Sequence, residues 1–181
     1  MLLLLLRQEG VPLNAVGLRL TTFSRFAFHA VIGIIVVIAP DVFAVVLRRV
    51  NPGIIRPGPV AHLDSIPQRN DGLAFIPICI AGAFWEELCF RGVALYQAPS
   101  GFWGTAVFVI ASSLIFGLHH LRGGILSVVF TGYFGMTFCI LYLFTADLPS
   151  IMFAHAIGNF AVTFYFAPKL RQKRQSLPAL F

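Results

Sequence analysis

Charge is scarce in this chain. Only 11% of its 181 residues are Asp, Glu, Lys or Arg, against about 25% in ordinary soluble domains. That excludes the charge-rich surface such a domain needs. Cysteine is also rare. Cys79, Cys89 and Cys139 have no CxxC spacing and lie in apolar runs, which leaves no disulfide framework and marks them as small core residues. No internal repeat, low-complexity tract or second domain is visible. Residues 1–181 therefore read as a single membrane domain. The N-terminus has no basic stretch before its leucines, unlike a secretory signal peptide.

What is present is apolar. Hydrophobic residues make up 58% of the chain, 19 of them Phe, and the mean hydropathy is +0.86. This is the composition of an integral membrane protein. The formal net charge is +6. In a soluble protein that would suggest nucleic acid. Here the basic residues mostly flank apolar segments, so they read as orientation signals. Membrane lipids are the expected partners, and nucleic acid is not.

Residues 1–25 form a polar N-terminal segment, opening on "MLLLLLR" like the tail of a truncated hydrophobic helix. The pattern then predicts about five membrane spans: about Phe26 to Leu47, Gly72 to Tyr96, Phe102 to His120, Ile125 to Thr145 and Ser150 to Phe166. Pro40 and Asp41 predict a kink or break in the first, with Asp41 capping the broken end. Residues 50–71 hold four prolines and two glycines, which exclude a regular helix across them. The basic tail with Lys169, Arg171, Lys173 and Arg174 predicts a cytoplasmic C-terminus in a multi-pass protein of the bacterial plasma membrane. Arg7, Arg19 and Arg25 would then fall on the outer side, against the same rule. The expected fold is an all-α bundle with a polar site inside the bilayer.

Ionisable residues at membrane depth cost roughly 2.5–3.5 kcal/mol each, so those inside the spans need a reason. In "AGAFWEELCFRGVALY" Glu87 and Arg91 are four apart and can pair on one helix face. Glu86 points about 100° away and seeks another partner: a metal, a histidine or a water. Such a carboxylate is suited to taking a proton from water. "FGLHH" places His120 four residues after Phe116. "HAIGN" places His155 four residues before Asn159, whose carboxamide can fix the imidazole or meet an oxyanion. A lone histidine at such a place is more often a hydrogen-bonded core or interfacial residue. His29 reads that way, and His62 reads as solvated in the polar connection. Three helices supplying Glu86, His120 and His155 shift the balance toward a site. The three could bind Zn2+ or another divalent metal with one position open for water, or could activate water with no metal. Either way the natural chemistry is hydrolysis.

"EELCFR" resembles the EExxxR motif of the CPBP family, the type II CAAX prenyl endopeptidase and bacteriocin-immunity group. Phe116 and His120 match its FxxxH, and His155 and Asn159 its HxxxN. The motif-bearing core covers about residues 72–167. The resemblance implies an intramembrane glutamate-dependent endopeptidase, often classed as a metalloprotease, acting on a membrane-associated peptide or protein. It implies Glu86 as general base, with His120 and His155 holding the water or a metal. Asn159 would serve the oxyanion, and Glu87 and Arg91 would be the supporting pair. Eukaryotic members cut the last three residues from prenylated CAAX proteins, whereas bacterial members are diverse. Members commonly carry more spans upstream than the one full span found here. Two other readings stand beside it: a non-catalytic membrane scaffold or immunity protein, and a small transporter using buried Glu and His.

Overall fold

Apolar runs fold as helices because a bilayer offers no water to backbone amides, which must then bond within the segment. The computed structural model describes residues 2–50 and 72–166, and among them every regular element is helical. These are α1 (Leu2–Gln8), α2 (Phe23–Val50), α3 (Gly72–Glu87), α4 (Phe102–His119), α5 (Ile125–Thr145) and α6 (Leu148–Phe160). Helix α3 continues directly through a π-helical segment, Leu88–Val93, and an α-helical end, Ala94–Tyr96. Helix α6 likewise runs on as a π-helical segment, Ala161–Phe166.

Among the described residues, two stretches are long and apolar enough to cross a bilayer, Phe102–His119 and Ser127–Thr145. Phe23–Ala39 and Leu148–Phe164 are apolar but shorter. Length and composition thus carry two of the about five expected crossings. The outer face of α4 suits lipid: Trp103, Val107, Ile110, Leu114, Ile115 and Leu118 are all exposed. The connection at 51–71, with His62, lies outside the described residues, as does the basic tail on which the orientation expectation rests.

Two expectations are corrected. Helix α2 passes through Pro40 and Asp41 without the expected break. Proline removes a single amide donor, and the turns on either side keep the helix going. The N-terminal segment is more than a polar connection. Leu6 is buried and Val16 is completely so; both join the core with Leu88, Phe138, Tyr142, Leu148 and Ile151.

The bundle packs α4 on α5, α2 on α6 and α3 on α6. Small residues allow the first contact to be close. A β-carbon at Gly117 would stand 2.6 Å from the Val128 carbonyl oxygen, and one at Gly135 would stand 3.0 Å from Ser113 Cα. Without a hydrophobic force between helices in lipid, such close approach is a main source of association.

Helix α6 is fixed at its start by Asp147, its N-cap, whose Oδ1 accepts the Ser150 N–H at 3.3 Å. Its Oδ2 receives the Ser150 hydroxyl at 2.6 Å and lies 2.8 Å from His29 Nδ1. Gly17 O accepts the Leu148 N–H at 3.1 Å, and the Arg19 guanidinium donates to Thr145 O. Burial alone would push the Asp147 carboxyl up. The hydrogen bonds from Ser150 and His29, with the His29 charge, outweigh that and hold it below its ordinary 3.8. His29, expected to be a packing histidine, thus ties α2 to the α5–α6 corner.

Candidate active site

Charged residues survive in an apolar helix only where partners are built for them. At the end of α3 both Glu87 and Arg91 are completely buried. Arg91 Nη1 donates to Glu87 Oε1 at 2.9 Å, the pairing that their four-residue spacing predicts. Arg91 Nη2 approaches Gly135 O on α5 at 3.4 Å. Its guanidinium carbon lies 4.5 Å from the centre of the Phe116 ring and 5.6 Å from that of Phe138. Two aromatic rings and a carboxylate therefore hold one cation from three helices.

His155 arrives from α6. Its Nδ1 lies 2.6 Å from Glu87 Oε1, and its Nε2 lies 3.5 Å from Glu86 Oε2. A carboxylate oxygen can only accept, so Nδ1 carries a proton and donates it to Glu87. The rings of Phe116 and Phe138 each stand 6.1 Å, centre to centre, from the imidazole. The two acids differ sharply. Glu87 is sealed and bonded to both Arg91 and His155, whereas the Glu86 side chain keeps 24% exposure and, among the described residues, meets the far nitrogen of His155.

The sequence set His155 beside Asn159 on its own helix and grouped it with Glu86; the structure brings it to Glu86 and, more closely, to Glu87. Asn159 Nδ2 instead lies 3.5 Å from the Cys79 carbonyl on α3. His120 caps α4, and its Nδ1 donates to Phe116 O at 2.9 Å. In the neutral ring this leaves Nε2 as the lone-pair nitrogen. His120 packs edge-on to the Phe116 ring at 5.1 Å, so that one ring contacts His120, His155 and Arg91. His119, its neighbour, is exposed.

The metal set expected from Glu86, His120 and His155 does not gather. Among the described residues, no three His, Cys, Asp or Glu side chains are grouped to hold a metal ion. His155 Nδ1 is engaged by Glu87 and His120 Nδ1 by the Phe116 carbonyl, which leaves Nε2 as the nitrogen each ring could offer a ligand.

Two features of the site escaped the sequence. One is the π-helical segment that carries Arg91. The other is Phe138, whose place beside Arg91 and His155 depends on how α5 packs. No signal in the chain separates Phe138 from the other phenylalanines.

No curated protein and no solved structure matches the chain significantly. Residues 68–161, more than half of the chain and all three motifs, match the family of Type II CAAX prenyl endopeptidase Rce1-like proteins. This family is membrane-embedded and points to a protease. The chain belongs to the Rce1-like family.

Proposed function

We propose that the protein is an intramembrane endopeptidase that hydrolyses a membrane-associated peptide of the CAAX type, with Glu86 as the base that activates water. One observation carries this reading. Of two adjacent carboxylates, Glu87 is buried and bonded through Oε1 to both Arg91 and His155, whereas Glu86 is partly open and, among the described residues, lies beside His155 Nε2.

The chemistry follows from that asymmetry. Glu86 takes a proton from water, and the hydroxide attacks the scissile carbonyl. His155, held by Glu87 through Nδ1, keeps its Nε2 beside Glu86, placed to take up or return the proton that the carboxylate draws from water. His120 Nε2 is the acceptor that helps seat the water. Asn159 Nδ2 is the neutral donor offered to the oxyanion, exchanging its long contact with Cys79 O for a stronger one. The proton on Glu86 then passes to the leaving amine as the C–N bond breaks. No step requires a metal ion.

The test is cleavage in vesicles of a prenylated peptide ending in a CAAX sequence. E86Q should abolish cleavage while the protein still inserts and runs as a folded species in detergent. Cleavage at the wild-type rate by E86Q would remove Glu86 as the base. Full phenotype with no cleavage would favour a membrane scaffold, and ion-driven uptake with no cleavage would favour a transporter.

A further inference from the structure

Adjacent serines on α4 use their hydroxyls differently. Ser113 Oγ bonds back to Val109 O on its own helix at 2.6 Å. Ser112 Oγ crosses to α3 and donates to Phe90 O at 2.9 Å. Both serines are buried, so the difference is one of direction.

The acceptor is a special carbonyl. In an α-helix Phe90 O would receive the N–H of residue 94. Here the Ala94 N–H bonds instead to Cys89 O, five residues back, as the π-helical segment requires. Phe90 O thus lacks the Ala94 N–H that an α-helix would give it, at a depth where an unsatisfied carbonyl is costly. Ser112 supplies a replacement. The next residue after Phe90 is Arg91, which holds Glu87 and is sandwiched by aromatic rings. Ser112 and Phe116 are four apart on α4. One face of that helix therefore presents the hydroxyl to the Phe90 backbone and the Phe116 ring to the arginine.

We infer that Ser112 is a positioning residue of the active site, holding the π-helical segment in register so that Arg91 keeps Glu87, and through it His155, in place. Ser112 need touch neither substrate nor water; it acts through the Phe90 carbonyl. This rests on the hydrolase reading of the same site.

Two measurements test it, and only one needs activity. The pair Phe–Arg occurs once in the chain, at Phe90–Arg91. Carbonyl-13C phenylalanine with 15N arginine therefore gives a single doubly labelled peptide bond, and its carbonyl resonance reports the hydrogen bond. In S112A that resonance should move upfield, and in S112T it should return. Cleavage by S112A should fall roughly ten-fold in kcat, the effect of one lost hydrogen bond, with KM within about two-fold of wild type and recovery in S112T. An unmoved resonance in S112A would overturn the contact. A moved resonance with kcat unchanged, or with KM rising instead, would overturn the positioning role. If S112T does not fold, S112C, a weaker donor, should fall between Ser and Ala in both readouts. A wild-type protein that cleaves nothing would sink the hydrolase reading alone, and the resonance would still decide whether Ser112 holds the segment.

Discussion

His155 Nδ1 and Glu87 Oε1 are 2.6 Å apart, and the same oxygen receives Arg91 at 2.9 Å. The imidazole is thus anchored by the acid that is not the proposed base, which leaves its other nitrogen facing the one that is. Replacing His155 by Ala should lower kcat by about 10² or more with little loss of folded protein. Vesicle cleavage together with size-exclusion profiles in detergent checks this. A variant with half the wild-type rate would show that His155 is dispensable.

Removing Arg91 should act on stability as well as rate. R91A leaves the Glu87 carboxylate buried without its cation, at a cost of about 3–5 kcal/mol. R91K should fail as well, because an ammonium cannot reproduce the planar contact with Phe116. The double variant E87Q/R91M should recover much of the stability and none of the activity. Thermal unfolding in detergent measures the first, and wild-type stability of R91A would refute the buried pair.

Chelation should change nothing. Because the proposed path routes no step through a metal ion, cleavage should survive dialysis against EDTA or 1,10-phenanthroline. Loss of activity that returns with Zn2+ would mean that the histidines rearrange into a ligand set.

Asp147 should make stability depend on pH. Its folded pKa lies below the ordinary 3.8, so the carboxylate stabilises the fold above the unfolded value and loses that contribution as pH falls through the folded one. A melting temperature that drops as pH falls below about 4, and drops less in D147N, is the expected result. At neutral pH, D147N should cost about 1 kcal/mol through the loss of charge-assisted hydrogen bonds with His29 and Ser150. Equal acid sensitivity in both proteins would count against it.

The α4–α5 contact should be intolerant of a single methyl. G117A places a β-carbon 2.6 Å from the Val128 carbonyl oxygen, so the helices must separate, at a cost of about 1–3 kcal/mol. G82A, with open space around its β-position, is the control and should leave thermal stability close to wild type.

Much of this site could be read from the chain because charge in an apolar helix is conspicuous. Glu86, Glu87 and Arg91 stood out against their neighbours, and the four-residue spacing gave the ion pair. Partners across the fold were hidden. Nothing in the sequence joins His29 to Asp147, 118 positions apart, or His155 to Glu87, 68 apart. The histidine's neighbour along its own helix, Asn159, was the only partner that spacing could suggest. Ser112 was equally silent, since a serine in an apolar helix most often bonds its own backbone, as Ser113 does. Pro40 misled in the other direction: a strong local breaker was overruled by the long helix around it.

The corner at Asp147 sets more than the end of a helix. His155 lies eight residues further along the same rod, about 12 Å away. Should that anchorage give way and the rod slip by one residue, the imidazole would swing some 100°, away from both acids. Damage at the corner would then silence the enzyme at a distance, with every reacting group still intact.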